Sequence, residues 1–515
     1  MSIATAQYQK KVWQLIAITV IVKIILSYFI ELGNDEVYYY TYAVQPDWNH
    51  FDHPPMVGWL IRCTTLNLHW VSTLSMRLGA IMSSALAMLV IFKTGVMLKN
   101  EKAGYLSALL YALSIYTSII AGFFILPDSP QLLFYTLSIY FMVKYVTQPH
   151  SFNLLYWILL GLCIGLATLS KVHGLFLWAG FGAYLLFHQR KSLKQPALYT
   201  AVLVTLFCLV PIVYWNIQND FITYRYHSSR VVAAGIHWDD FFQQIIGEIL
   251  YQNPLVYLAI LIPLIQIKKL KGNYEKKGVL PLLLWLSLPL IFTFWALSLF
   301  NSTLPHWTGP GFIGLILIAG IYWSTYSFKS IPTLFQLAVG FVVALIFGFL
   351  LLVYVFPKQL GSAKSENLGE YNPINDVTGW TQCKAEFKQL LDQDVQLGKM
   401  SIHSPILTHK WFPGGHILFY ISDPLKRPLI GVGNLTDLHK FAWLNKNLPP
   451  LQIGENAYTI IPSNLPADPA ILYGAYFEKI ELAKVIPIQS KGVLLRNFYV
   501  YRLIGCKKIP SSILK

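Results

Sequence analysis

Charge is scarce in this chain. Asp, Glu, Lys and Arg make up 12% of its 515 residues, where soluble globular domains carry about 25%. With 55% hydrophobic residues and a mean hydropathy of +0.50, that scarcity excludes an ordinary soluble protein and indicates a polytopic membrane protein. Acidic residues are the rarer sign, 24 against 39 basic, for a formal net charge of +15. The cations fall largely in short loops between apolar runs and in the C-terminal part, a pattern of membrane orientation and not of a nucleic-acid footprint. Five cysteines (Cys63, Cys163, Cys208, Cys383 and Cys506) include no CxxC pair, so no zinc knuckle or redox motif follows. Cys383 and Cys506 are a pair that an oxidising compartment would allow to bond. Internal repeats and low-complexity tracts are also lacking. No small-residue cleavage site follows the first apolar run, only "ELGNDE", so that run is expected to stay as a first span.

What is present is a series of apolar runs near 12–30, 71–92, 103–122, 130–147, 153–168, 173–188, 197–215, 254–267, 279–300, 309–326 and 332–356. The separators alternate in charge. One set holds Lys10 and Lys11; Lys93, Lys99 and Lys102; Arg190, Lys191 and Lys194; "KKLKGNYEKKG"; and Lys329. The other set holds 31–70, "FFILPDS", 216–253 and "NSTLPHW", with few cations. The positive-inside rule makes the basic set cytoplasmic. Eleven spans then place the N-terminus inside and the tail outside the membrane. The expected fold is a polytopic α-helical transmembrane domain, 1–356, followed by an extracytoplasmic mixed α/β domain, 357–515. The tail opens with the polar linker "PKQLGSAKSENLGEYNP" and is the size of one domain.

The polar residues concentrate on the expected outer side. Five carboxylates (Glu31, Asp35, Glu36, Asp47 and Asp52) and two imidazoles (His50 and His53) directly follow the first run. Asp128 lies in "ILPDSPQLLFY", Lys171 in "GLATLSKVHGLFL", Arg225, His227 and Arg230 in "YRYHSSR", and His306 in "LPHW". Ionisable groups at membrane depth cost about 2.5–3.5 kcal/mol each on insertion scales and usually line an aqueous cavity. Each also has a bland explanation. Asp35 and Glu36 suit a solvated interface, Asp128 before Ser-Pro suits a helix N-cap, Lys171 can snorkel, His53 can order a turn, and the tyrosines of 38–42 suit an interfacial belt. None of these explains why all of them collect on one face.

The segment "NDEVYYYTYAVQPDWNHFDHPPMVGWLIR" resembles the signature loop of the bacterial protein-mannosyltransferase-like glycosyltransferases. These form a polytopic GT-C class that includes the aminoarabinose transferase acting on lipid A. "LPDSPQLLFY", "GLATLSKVHGLFL", "PHWTGPGF" and "YNPINDVTGW" resemble further blocks of that family in order, over roughly residues 10–330 and more weakly to about 380. The resemblance implies transfer of a sugar from a polyprenyl-phosphate donor to an envelope glycolipid, glycan or protein. It implies Asp35 as catalytic aspartate beside Glu36, Asp128 as a second acidic position, and Lys171, with Arg225 and Arg230, at the donor phosphate. Tyr38, His53 and His306 are the expected substrate contacts. In some relatives an acidic residue and a loop histidine hold a divalent ion, and Asp52 and His227 are the matching residues. His53 stands where the lipid A transferase pattern has Lys, which separates this chain from the aminoarabinose substrate. The rival from another class is a transporter or flippase, but it predicts mid-bilayer binding residues and inverted repeats, and the sequence shows neither.

Overall fold

The computed structural model describes residues 3–229, 235–267, 278–328 and 331–514. Arg230, Lys329 and most of "KKLKGNYEKKG" lie outside the described residues. Each of the eleven apolar runs is helical. Among the described residues five helices are long and apolar enough to cross a membrane: Gln7–Phe29, Thr73–Leu98, Pro196–Gln218, Val279–Ser298 and Thr333–Val355. Trp238–Tyr251 and Pro254–Ile265, which meet at a bend of 100°, make a sixth if counted as one span. The short 254–267 run is explained by that bend. Asn253 caps the second arm through Leu255 N, and Pro254 occupies its first position, where a missing N–H costs nothing.

Two segments expected as loops are partly helical. Residues 31–70 contain the helices Asn34–Val44 and Met56–Thr64, and 216–253 contains Ile222–Ser229 and Trp238–Tyr251. Local capping explains where several helices begin. Ser72 accepts from Ser75 N while the Ser75 hydroxyl accepts from Ser72 N, which opens Thr73–Leu98. Asn100 Oδ1 accepts from Ala103 N and opens Glu101–Leu113.

The chain divides into two units, 1–26 with 47–345, and 27–46 with 346–515. The first is helical, around a core that includes Tyr111, Tyr135, Ile164, Phe181, Leu283 and Ile316. The second unit takes in the segment 27–46 as well as the C-terminal part. Its sheet has five strands: β1 (Ile406–Thr408), β2 (Leu429–Gly431), β3 (Ala457–Pro462), β4 (Phe477–Ser490) and β5 (Val493–Cys506). Their order is β2-β1-β3-β5-β4. β1 pairs in parallel with β2 and β3, whereas β5 runs antiparallel to β3 and β4. The β4–β5 hairpin turns at Lys491 and Gly492, both at positive φ (46° and 82°), the two-residue turn that matches strand twist. Cys383 and Cys506 do not pair. Both are buried and free, as Cys163 is in the first unit.

Candidate active site

In the first unit the expected site residues gather around a buried ion pair. Asp128 opens the helix Asp128–Thr147 after "FFILP", and Lys171 ends the helix Leu154–Ser170 with an extended backbone (φ −157°). These two helix ends bring the side chains together across 43 positions of sequence. Lys171 Nζ donates to Asp128 Oδ2 at 2.9 Å and to Oδ1 at 3.1 Å. Only 2% of Asp128 and 3% of Lys171 is exposed, so the lysine does not snorkel. Nor does Asp128 serve as an N-cap. Ser129 Oγ takes the local role, accepting from Leu126 N at 3.1 Å, and the Asp128 carboxylate also receives the Tyr116 hydroxyl at 3.0 Å. Gln131 Nε2 donates to Lys171 O at 3.2 Å and ties the two segments at the backbone.

His53, His173 and His306 lie within electrostatic reach of this pair. His53 sits in "FDHPP", a segment held by Asn49 Nδ2 to Thr223 Oγ1 (3.2 Å), Thr223 Oγ1 to His50 O (3.1 Å) and Phe51 against Tyr226 (4.5 Å). His306 sits on the turn Pro305–Gly311, and the Tyr251 ring lies 5.8 Å from its ring. His173 packs edge-on against Phe294 at 4.8 Å and near Trp307 at 6.0 Å. Gly309 of "PHWTGPGF" lies flat against Tyr116, and a Cβ there would stand 2.3–2.5 Å from the ring carbons. Glycine at this position lets the turn approach the tyrosine that binds Asp128.

Burial pushes His53 and His306 down to about 4, with the Lys171 cation acting in the same direction on both and Asp52 opposing it at His53. The unfolded histidines titrate near about 6.5. Between those values the unfolded chain binds more protons, so stability rises with pH across that window and is lost on acidification through it. The expected result is a melting temperature that falls from pH 7 to pH 4.5, and falls less in a His53→Gln/His306→Gln variant. Parallel pH profiles for the two proteins would refute the assignment.

Among the other expected residues of this unit, His227 Nε2 lies 2.9 Å from the Asp52 carbonyl oxygen, and its ring is 6.5 Å from that of His53. Among the described residues no group of three or more His, Cys, Asp or Glu side chains is arranged to hold a metal ion. Asp52 and His227 are therefore adjacent but do not make a complete protein cage. Arg225 is exposed on the helix Ile222–Ser229, its guanidinium bonded to Asp220 O. Tyr116, His173, Gly309 and the fully buried Arg77, whose guanidinium lies 4.5 Å from the Phe123 ring, were not singled out from the sequence. The KxH spacing of Lys171 and His173, and an arginine at the head of an apolar run, were the available signals.

In the second unit, Asp35 is exposed on the first turn of the helix Asn34–Val44. Its neighbour Glu36 is 1% exposed, and its Oε2 accepts from Gly33 N at 2.9 Å. The two carboxylates thus have different tasks, Glu36 closing the helix start. Tyr38 is buried among Tyr42, Trp411 and His439 at centroid distances of 5.5, 5.1 and 5.8 Å.

Residues 52–215, which include Asp52, His53, Asp128 and Lys171, match the family model described as dolichyl-phosphate-mannose-protein mannosyltransferase. Lipid A galacturonosyltransferase RgtD of Rhizobium johnstonii is 23% identical over 342 residues, covering 63% of this chain and 67% of that protein. The fold is similar to that of ArnT from Cupriavidus metallidurans, with a TM-score of 0.63 and coverage of 96% of this chain and 98% of that one. Identity is 13% to the apo crystal structure and 15% to the one bound to undecaprenyl phosphate. In its helical body, its small C-terminal sheet and the matched segment, the chain is similar to membrane glycosyltransferases of the GT-C class. Its fold is shared with ArnT, and its loop after the first apolar run resembles the same class.

Proposed function

We propose that this enzyme takes a sugar from a polyprenyl-phosphate carrier and transfers it, with inversion, to an envelope acceptor at the outer face of the bacterial plasma membrane. The observation that carries the reading is the buried Asp128–Lys171 pair within the segment matched to the mannosyltransferase family. Support for a lipid-phosphate donor comes from ArnT, solved with undecaprenyl phosphate, and for a lipid A acceptor from the galacturonosyltransferase. The relatives do not favour a transporter.

In the proposed reaction the acceptor hydroxyl gives its proton to Asp35, and its oxygen attacks the anomeric carbon opposite the phosphate. The C–O bond to the phosphate breaks, and the bonding pair leaves with the carrier phosphate. Lys171 stabilises that growing charge, with Arg225 and Arg230 as further phosphate contacts. Asp128 positions Lys171 and, with His53 and His306, the polar groups of the sugar or acceptor. A divalent ion at Asp52 and His227 would need further oxygen ligands from phosphate or water, and no step above is routed through it. Mass spectrometry of lipid A and envelope glycoproteins from cells with and without the gene tests the reading. A sugar mass missing from one of them is expected, and unchanged glycans would refute it.

The topology belongs to the same proposal: eleven spans, N-terminus cytoplasmic, and 357–515 outside, where this domain shapes acceptor access. A reporter active only in the periplasm is expected to work when fused near Ser362 and to fail near Gly272. The reverse pattern would overturn the orientation.

A further inference from the structure

The block "YNPINDVTGW" has no role in the chemistry above, yet it lies in the same unit as Asp35. The segment 31–45 is fastened to the C-terminal part along its length. Glu31 Oε2 and Oε1 accept from Trp380 N and Thr381 N, each at 2.9 Å, satisfying two of the open N–H groups of the helix Trp380–Gln396. Leu32 N donates to Tyr420 Oη at 2.7 Å, Tyr40 Oη to Asp423 Oδ2 at 2.8 Å, and Gln45 Nε2 to Trp443 O at 3.2 Å.

The contact beside Asp35 is the most specific. Asn34 Oδ1 lies 2.9 Å from His416 Nε2, with Asp376 within electrostatic reach of the Asn34 side chain. The Asn34 amide oxygen faces His416, and an amide oxygen only accepts. His416 Nε2 therefore carries the proton and donates. Burial and the nearby Arg496 cation lower the His416 pKa well below its ordinary value, which keeps the ring neutral. The ring stacks on Trp380 at 4.4 Å and 3°. Trp380 in turn lies under the buried Arg496 guanidinium at 4.9 Å, whose Nη2 donates to Thr378 O at 2.6 Å. Gly379 joins these residues at φ +87°, with Ile488 2.6 Å from where a Cβ would stand. Thus Asp376, Thr378, Gly379 and Trp380 of one short motif each bear on the residue next to Asp35 or on the histidine that holds it.

We infer that the "NDVTGW" motif and His416 are positioning residues for Asp35: they fix Asn34 and so the rotation of the first helical turn that presents the aspartate. This rests on the reading of Asp35 as general base. Because reactive geometry matters at the ångström scale, a loosened turn is expected to lower kcat by about 10- to 100-fold.

The test uses the full-length enzyme in lipid nanodiscs with a polyprenyl-phosphate sugar donor that it turns over. His416→Ala and Asn34→Ala are expected to lower kcat by that factor with the donor KM within about twofold, because the phosphate contacts are untouched. His416→Gln, which can still donate to Asn34, is expected to recover most of the loss. In an Asp35→Asn background His416→Ala is expected to add no further loss, whereas a purely structural defect would lower the residual activity again. The inference fails if both alanine variants stay within twofold of wild type, or if the loss is the same in both backgrounds. Asn34→Ala, at the partly exposed end of the bond, keeps the test open should His416→Ala not fold. Near-normal transfer by Asp35→Asn alone would instead remove the general-base reading itself.

Discussion

Asp35→Asn is expected to lower sugar transfer by about 10²–10⁴-fold while donor binding survives, the span of a general-base contribution. Asparagine keeps the size of aspartate and much of its hydrogen bonding, but it does not take a proton as a carboxylate does. Asp35 is exposed on its helical turn, in contrast to the buried Glu36 that accepts from Gly33 N. Glu36→Gln retains an oxygen for that bond and is expected to be mild in both turnover and stability. The competing explanation is that Asp35 only solvates the segment after the first span. A well-folded Asp35→Asn protein that transfers sugar within about threefold of wild type, under 1 kcal/mol at about 1.36 kcal/mol per decade, would favour it and move the base to Asp128.

The second large effect belongs to Lys171. Lys171→Ala strands the Asp128 carboxylate in a site that is 2% exposed, and breaking such a buried pair costs about 3–5 kcal/mol. Donor affinity and turnover are expected to fall along with the melting temperature, since in the proposed reaction the cation acts on the phosphate in both ground and transition states. Stability and chemistry can be separated with Asp128→Asn/Lys171→Ala, which removes both charges. The double variant is expected to regain most of the thermal stability and none of the turnover. If it transferred sugar at the wild-type rate, the pair would be a structural strut, and the phosphate cation would have to be sought elsewhere. If the single Lys171→Ala variant melted like wild type, the buried pair itself would be in question.

The helical body was legible from periodicity and apolar length alone. Eleven runs were expected and each is helical, because a stretch with no polar side chains has to satisfy its backbone internally. The mixed character of the tail and the placing of the polar blocks were legible as well, since Pro, Gly and charged residues stand out against an apolar background. Tertiary structure decided the rest. Nothing in the spacing of Asp128 and Lys171 says that they meet, and two bland explanations suited them equally until two helix ends brought Nζ within 2.9 Å of the carboxylate. Adjacent Asp35 and Glu36 look alike in sequence, but the helix start buries one and exposes the other, because neighbours on a helix point about 100° apart. The segment 27–46, the end of the first apolar run and the start of the loop after it, nevertheless belongs with residues 346–515. Its partners Trp380, His416, Tyr420 and Asp423 lie more than 340 positions away, and hydrogen bonds between groups so far apart leave no trace in local pattern. They exist only once the sheet and its helices have packed.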